Sequence, residues 1–267
     1  MKTALVGYTG FVGSNIAAQY EFDGLYNSKN IGEAYHTNPK LLVYSGVRAE
    51  KFLANADPEK DLAAMQGAMD NIHRINPEKL VLISTIDVFK IPKDVDENSV
   101  IDTEGLHAYG YNRYQLELMV REMYPDALII RLPGLFGENI KKNFIYDYIN
   151  VIPFMLRNEK MAELTKADPE LISFYTLQDN GFYRLNPLAD KERNILKYKF
   201  DQLGFSALNF TDSRSVFQFY DLSRLWNDIR QALNAGIRLW HPATEPVSTG
   251  ELYQYLTGKE FVNELGG

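Results

Sequence analysis

The stretch Ala4–Tyr20, "ALVGYTGFVGSNIAAQY", decides the fold. The apolar run Thr3–Val6 leads straight into Gly7, and Gly10 and Gly13 follow at three-residue intervals as a helical pattern opens. Each glycine answers a separate steric demand. The first permits a tight turn, the second lets backbone amides approach a pyrophosphate, and the third lets helix and strand pack closely. The amides of Phe11, Val12 and Gly13 then stand at a helix N-terminus, where unpaired N–H groups and the positive dipole end favour an anion. This order of elements predicts a dinucleotide-binding turn.

Working outward, "LLVYS" (Leu41–Ser45), "LVLIS" (Leu80–Ser84) and "ALIIRL" (Ala127–Leu132) are short apolar runs of the kind found in strands buried on both faces. Helical patterns separate them, with apolar residues spaced by three and four at Leu62, Met65, Met69 and Ile72 and again at Leu116, Met119, Val120 and Met123. The alternation predicts an α/β fold, a Rossmann-type doubly wound parallel sheet over residues 1–136. Only ten residues, Ile31–Lys40, separate the second strand from the third, so the sheet is expected to be trimmed on that side.

After Phe136 the rhythm changes, and residues 137–267 read mainly as a smaller C-terminal substrate lobe, with 214–241 returning to the sheet. "KKNFIYDYINVIPFML" (141–156) predicts one helix ending near Pro153. "SVFQFYDL" (215–222) predicts a strand entering a helix whose stripe is Leu225, Trp226, Ile229 and Leu233.

The bulk numbers exclude several classes of function. The net charge of −7 argues against broad nucleic-acid binding through phosphates, and no apolar run approaches the length of a bilayer span. With no cysteine there is no thiolate nucleophile, and the four histidines (His36, His73, His107, His241) show no metal-ligand spacing, so no metal is expected. "MKTALVGYTG" enters a strand directly instead of a signal-peptide pattern, and the expected location is cytoplasmic.

The acidic residue expected about twenty positions after the glycine turn, which would bind the adenosine ribose, is missing. "LYNSKNI" stands there, and Asn27 and Ser28 offer hydrogen bonds to a ribose, while Lys29 offers a charge to a 2′-phosphate. The cofactor is therefore NAD or NADP, with a lean toward NADP. Ser45, Gly46 and Arg48, at and beyond the end of the third strand, are further candidates for its site.

The glycine turn, "LVLISTIDVF" (80–89) and "HAYGYNRYQLE" (107–117) together resemble the extended short-chain dehydrogenase/reductase family, the nucleotide-sugar epimerases and dehydratases. Gly7, Gly10 and Gly13 match the family's glycine spacing, Ser84 and Thr85 its hydroxyl-bearing strand end, and Tyr109 the tyrosine of its Tyr-x-x-x-Lys. Arg113 stands in place of the lysine. "RLPGLFG" (131–137) resembles the segment flanking the nicotinamide, which implies Pro133. Asn143, at the head of the next helix, and Arg214, which opens "RSVFQFYDL" (214–222), match positions that hold the substrate's diphosphate.

The resemblance covers roughly residues 1–255 and implies an NAD(P)-dependent oxidoreductase or epimerase acting on a nucleotide-diphosphate sugar. Tyr109 would be its acid/base, working with Thr85 and Arg113. It also implies a homodimer through helices 61–75 and 110–123, whose methionine stripes suit a packed seam. Two alternatives stay open. One is a catalytically weak or inactive NAD(P)-binding protein. The other is a sugar-nucleotide 4,6-dehydratase in which Asp87 is the general base, against a helix-capping or surface role for that residue.

Overall fold

The structure is a computed structural model and describes residues 2–265. In chain order the elements are β1 (Thr3–Val6), α1 (Phe11–Ala17), β2 (Gly24–Tyr26), β3 (Leu41–Tyr44), α2 (Lys51–Ala56), α3 (Pro58–Ile75), β4 (Leu80–Thr85), α4 (Ala108–Met123), β5 (Leu128–Leu132) and β6 (Gly134–Phe136). They continue with α5 (Phe144–Ile149), β7 (Met155–Arg157), α6 (Asn158–Ala167), β8 (Tyr175–Leu177), β9 (Phe182–Leu185) and α7 (Asp190–Gln202). The last are β10 (Val216–Phe217), β11 (Phe219–Asp221), α8 (Leu225–Asn234), β12 (Leu239–Trp240), β13 (Val247–Ser248) and α9 (Thr249–Thr257). The chain divides into two compact units. One runs to Ile140 and takes in Gln218–Pro246; the other comprises Lys141–Phe217 and the segment from Val247 onward.

The first unit is built on a parallel sheet of order β12-β5-β4-β3-β1-β2. Neighbours run in one direction throughout, with Val6 level with Tyr44 on one side and Tyr26 on the other. The carboxyl ends of β1, β3 and β4 therefore share one edge, where open α/β sheets place ligands. Alternate strand residues feed two cores. Ala4, Leu42, Leu82 and Ile129 meet α3 and α4 on one face, while Leu5, Val43, Val81 and Ile130 meet Ile16, Trp226 and Ile229 on the other. Burial on both faces is why the strands read as unbroken apolar runs. The sheet is trimmed beside β1, where the three-residue β2 is the last strand and a single 3-10 turn, Ile31–Ala34, replaces a crossover helix.

The methionine stripes do not form the seam assigned to them. Met65 and Met69 are buried in the core beneath α3, Met119 packs against the same core, and Met123 is exposed at the end of α4. At Met65, Met69 and Met119 the spacing reported the inner face of the helix.

The second unit holds an antiparallel sheet of order β7-β9-β8 over a core that includes Leu156, Met161, Leu196 and Phe200. The single helix expected to end near Pro153 stops earlier. α5 ends at Ile149, and Met155–Arg157 leaves for a pairing with Phe182–Arg184 that no local pattern announces. The strand expected across 215–222 is likewise split at Gln218. β10 pairs antiparallel with β13, and β11 pairs parallel with β6. Leu225, Trp226 and Ile229 do form the buried stripe of α8, joined by Ala232.

Candidate active site

The glycine turn is held by contacts that separate its three glycines. Gly7 lies at φ +90°, its N–H donates to the Tyr26 carbonyl (2.7 Å), and a Cβ there would sit 2.5 Å from the Ser45 carbonyl. A Cβ on Gly13 would sit 2.1 Å from the Gly7 carbonyl. The fold itself requires both residues. Gly10, the N-cap of α1, has ordinary extended backbone, and its Cβ would meet only the Gly7 carbonyl at 3.3 Å. It therefore keeps open the space before the amides of Phe11, Val12 and Gly13, and no side chain caps that helix. These residues fit a dinucleotide pyrophosphate. Gly10→Val is expected to fold with unchanged cooperativity and to lose dinucleotide binding by calorimetry, whereas Gly13→Val fails to fold. Unchanged affinity in a folded Gly10→Val protein would place the cofactor elsewhere.

Ser45 ties the ends of β3 and β1 together, its hydroxyl donating to the Val6 carbonyl (2.9 Å), and Gly46 follows it beside the same turn. Beyond β2, Asn27 Oδ1 accepts the Lys29 N–H (2.8 Å), which folds the turn and leaves Ser28 and Lys29 exposed. Pro133 is half-buried between β5 and β6. The Arg48 side chain is exposed, but its carbonyl is engaged by Arg113.

Thr85, Asp87, Tyr109 and Arg113 come together at the same sheet edge. Thr85 ends β4, and its hydroxyl accepts the Asp87 N–H (3.1 Å) at the head of a tight turn. α4 seats directly on that turn, because a Cβ on Gly110 would lie 2.1 Å from the Asp87 carbonyl. His107 Nδ1 caps α4 through the Gly110 N–H (3.0 Å), and Asn55 Oδ1 accepts the Tyr109 N–H (2.9 Å). Neither Gly110 nor Asn55 was singled out in the sequence; the only signal for Gly110 is a glycine inside the first turn of a helix, where it is costly.

Tyr109 is only 7% exposed, and the Arg113 guanidinium carbon stands 3.9 Å from the centroid of its ring. Arg113 is buried and heavily engaged, donating to Asp61 on α3, to the Arg48 carbonyl and to the Tyr109 carbonyl (3.3 Å). Asn112 also donates to Asp61 (2.9 Å). Burial is the strongest influence on the Tyr109 phenol and raises its pKa. The Arg113 charge lowers it, the Asp87 charge raises it, a Thr85 hydrogen bond lowers it and Asp61 raises it, and the net position is above the ordinary tyrosine value. At neutral pH this phenol holds its proton. Asp87, for its part, is ion-paired with Lys51 of α2 (2.8 Å).

Two further candidates belong to the second unit. Asn143, at φ +103°, caps α5 by accepting the N–H groups of Ile145 (3.0 Å) and Tyr146 (3.2 Å). Arg214 is exposed and forks onto Asp212 (2.9 and 2.6 Å), with Glu264 at 3.4 Å.

The sequence matches no protein-family model and no curated protein. Solved structures do resemble it. The dTDP-4-dehydrorhamnose reductase of Bacillus anthracis, in complex with NADP, has TM-score 0.63 at 16% identity, over 100% of this chain and 85% of that one. The enzyme of the same name from Yersinia enterocolitica has TM-score 0.63 at 14% identity, over 99% and 83%. The UDP-N-acetylglucosamine 4-epimerase of Methanobrevibacter ruminantium, in complex with UDP-N-acetylmuramic acid, has TM-score 0.61 at 13% identity, over 99% and 84%. The likeness is one of fold.

Below the site lies a buried polar cluster that sequence reasoning missed. Glu117 on α4 is fully buried, takes a hydrogen bond from Ser84 (2.6 Å) and pairs with Arg131 of β5 through bonds of 2.6 and 3.1 Å. Arg131 also meets His241 Nε2 (3.3 Å), whose backbone N–H donates to Glu97 (2.6 Å). Ser84 thus faces this cluster. Thr85, the next residue, bears the hydroxyl at the Tyr109 site. The sequence carried one signal, a glutamate one position from Leu116 on the buried stripe of α4.

Proposed function

We propose that the protein is an NAD(P)H-dependent reductase of a keto group on a nucleotide-diphosphate-linked sugar, with Tyr109 as the proton donor. The observation that carries this reading is a buried tyrosine beside Thr85, with the Arg113 guanidinium against its ring, on the sheet edge that bears the glycine turn. A phenol held protonated at neutral pH is the form that can give a proton to a developing alkoxide, and because burial makes it a weaker acid, the Arg113 charge has to assist the transfer. Thr85 accepts the Asp87 N–H and hydrogen-bonds the Tyr109 phenol, and a substrate oxygen placed between the two hydroxyls would take over that second bond. Tyr109 gives its proton to that oxygen, and Arg113 stabilises the phenolate left behind until solvent reprotonates it. When bound, the nicotinamide supplies the hydride to the carbonyl carbon.

Gly7, Gly10, Phe11, Val12, Gly13, Ser45 and Gly46 would hold the cofactor. Ser28 and Lys29, exposed where no carboxylate follows β2, favour NADP. Asn143 and Arg214 are the residues assigned to the substrate diphosphate, and Arg214 would have to exchange an Asp212 contact for a phosphate. The similar structures named as dTDP-4-dehydrorhamnose reductases support this kind of substrate.

A homodimer belongs to the same reading, through outward residues instead of the methionines. Tyr111 and Leu118 are exposed on α4, and Ala63, Ala64 and Gly67 are exposed on α3. Light scattering at micromolar concentration should give a dimer mass, reduced to a monomer by Leu118→Lys; a monomeric wild type ends the proposal.

The test of function is consumption of reduced cofactor with a panel of keto nucleotide sugars, after mass spectrometry of any co-purifying nucleotide. The second reading, a non-catalytic NAD(P) binder, draws on the engagement of Arg113 with Asp61 and the Arg48 carbonyl. A cofactor that binds but is never consumed would favour it.

A further inference from the structure

α2 is a six-residue helix of which only Ala54 is buried, while Phe52 and Leu53 are exposed. Apolar packing therefore does little to place it. Two polar contacts do, and they come from residues four apart on one helical face. Asn55 takes the Tyr109 N–H (2.9 Å), and Lys51 pairs with Asp87 (2.8 Å). Both contacts end on residues of the Tyr109 site.

We propose that Lys51 is a positioning residue for the reaction assigned to Tyr109, cancelling the Asp87 charge beside the phenol and holding that carboxylate still. The inference rests on the assignment of Tyr109 as proton donor. The charges around the phenol form two opposed pairs. Arg113 from α4 is matched by Asp61 from α3, and Asp87 from the turn after β4 is matched by Lys51 from α2. Thr85 adds a hydrogen bond, and the His107 ring lies 6.3 Å from the tyrosine ring. Removing Lys51 leaves one uncompensated negative charge near a group that must become an anion when it gives up its proton. Removing Asp87 leaves one uncompensated positive charge. The first change makes the phenol a poorer acid and the second a better one, by opposite signs of the same interaction. Partial exposure of the pair, with side chains 48% and 34% exposed, screens the effect without removing it and lets both variants fold.

The experiment places a ring-fluorinated tyrosine at position 109 and follows its titration by fluorine NMR in the whole protein, without substrate. Lys51→Met should raise the midpoint and Asp87→Asn should lower it, each by at least about 0.3 unit, a twofold change in ionised fraction, and the double variant should return close to wild type. The acid-donating limb of the pH–rate profile should move the same way. Midpoints unchanged in both single variants overturn the inference, even in an active enzyme. Shifted midpoints sustain it, and if no sugar is then turned over, the assignment of function fails separately.

Discussion

Glu117→Ala is expected to destabilise the protein by about 3–5 kcal/mol, the cost of leaving one partner of a buried ion pair uncompensated. Its partner Arg131 is only 2% exposed, and α4, β4 and β5 close around it. The guanidinium is shielded from bulk solvent, and His241 beside it offers a ring nitrogen in place of an anion. Burial also pushes His241 below the ordinary histidine pKa, so that ring stays neutral and adds no second cation. Ser84 loses its acceptor at the same time. The loss is specific to half-removal. Glu117→Leu combined with Arg131→Met exchanges the pair for apolar groups of similar size and should recover most of the stability, since both charges then escape desolvation. Urea unfolding of wild type, both single variants and the double variant measures the coupling. A loss below about 1 kcal/mol in Glu117→Ala, or a double variant no better than the singles, would show that the cluster does not hold the sheet as argued.

The features legible in the sequence were those set by local steric need or by burial on both faces of a sheet. Gly7 and Gly13 announce themselves because no side chain fits where they stand, and the runs at 80–84 and 127–132 because both their faces meet helices. What escaped depends on distant partners. Met155–Arg157, beyond Pro153, carries no local strand signal, yet its backbone finds a ladder with β9, and Gln218 divides a strand because β13 and β6 each claim one half. The methionines of α3 and α4 read alike whether they face a sheet or a second copy; the choice is made by Leu42, Leu80 and Ile129 on the strands beneath. The site follows the same division. Thr85 and Tyr109 could be paired from motif order, but the commitments of Arg113 required Asp61, 52 residues away, to be seen beside it.

Those commitments shape the other large effect, which concerns Tyr109 and the arginine behind it. Tyr109→Phe removes the proposed proton donor and its hydrogen bond with Thr85, while the ring remains to stack under Arg113 and the residue's N–H still meets Asn55. Turnover of the reduced cofactor should fall by roughly 10²–10⁴-fold, the ordinary worth of a positioned general acid, with dinucleotide affinity unchanged. Arg113→Lys tests a different property. The guanidinium spans Asp61, the Arg48 carbonyl and the Tyr109 carbonyl at once, and an ammonium on a single stem cannot reach all three. Losing one charge-assisted bond costs about 1.5–3 kcal/mol of stability, while the positive charge near the phenol is kept. Arg113→Lys should therefore be measurably less stable yet stay within about tenfold of wild-type turnover, a change of about 1.4 kcal/mol or less in the barrier. Arg113→Met removes the charge as well, leaves Asp61 uncompensated beside the phenol and should lose both stability and turnover. This ordering separates a cation that serves the phenol from a brace that merely holds α4 to α3. If Arg113→Lys and Arg113→Met lose turnover equally, the arginine is only the brace, and if Tyr109→Phe turns over as fast as wild type, the phenol is not the proton donor.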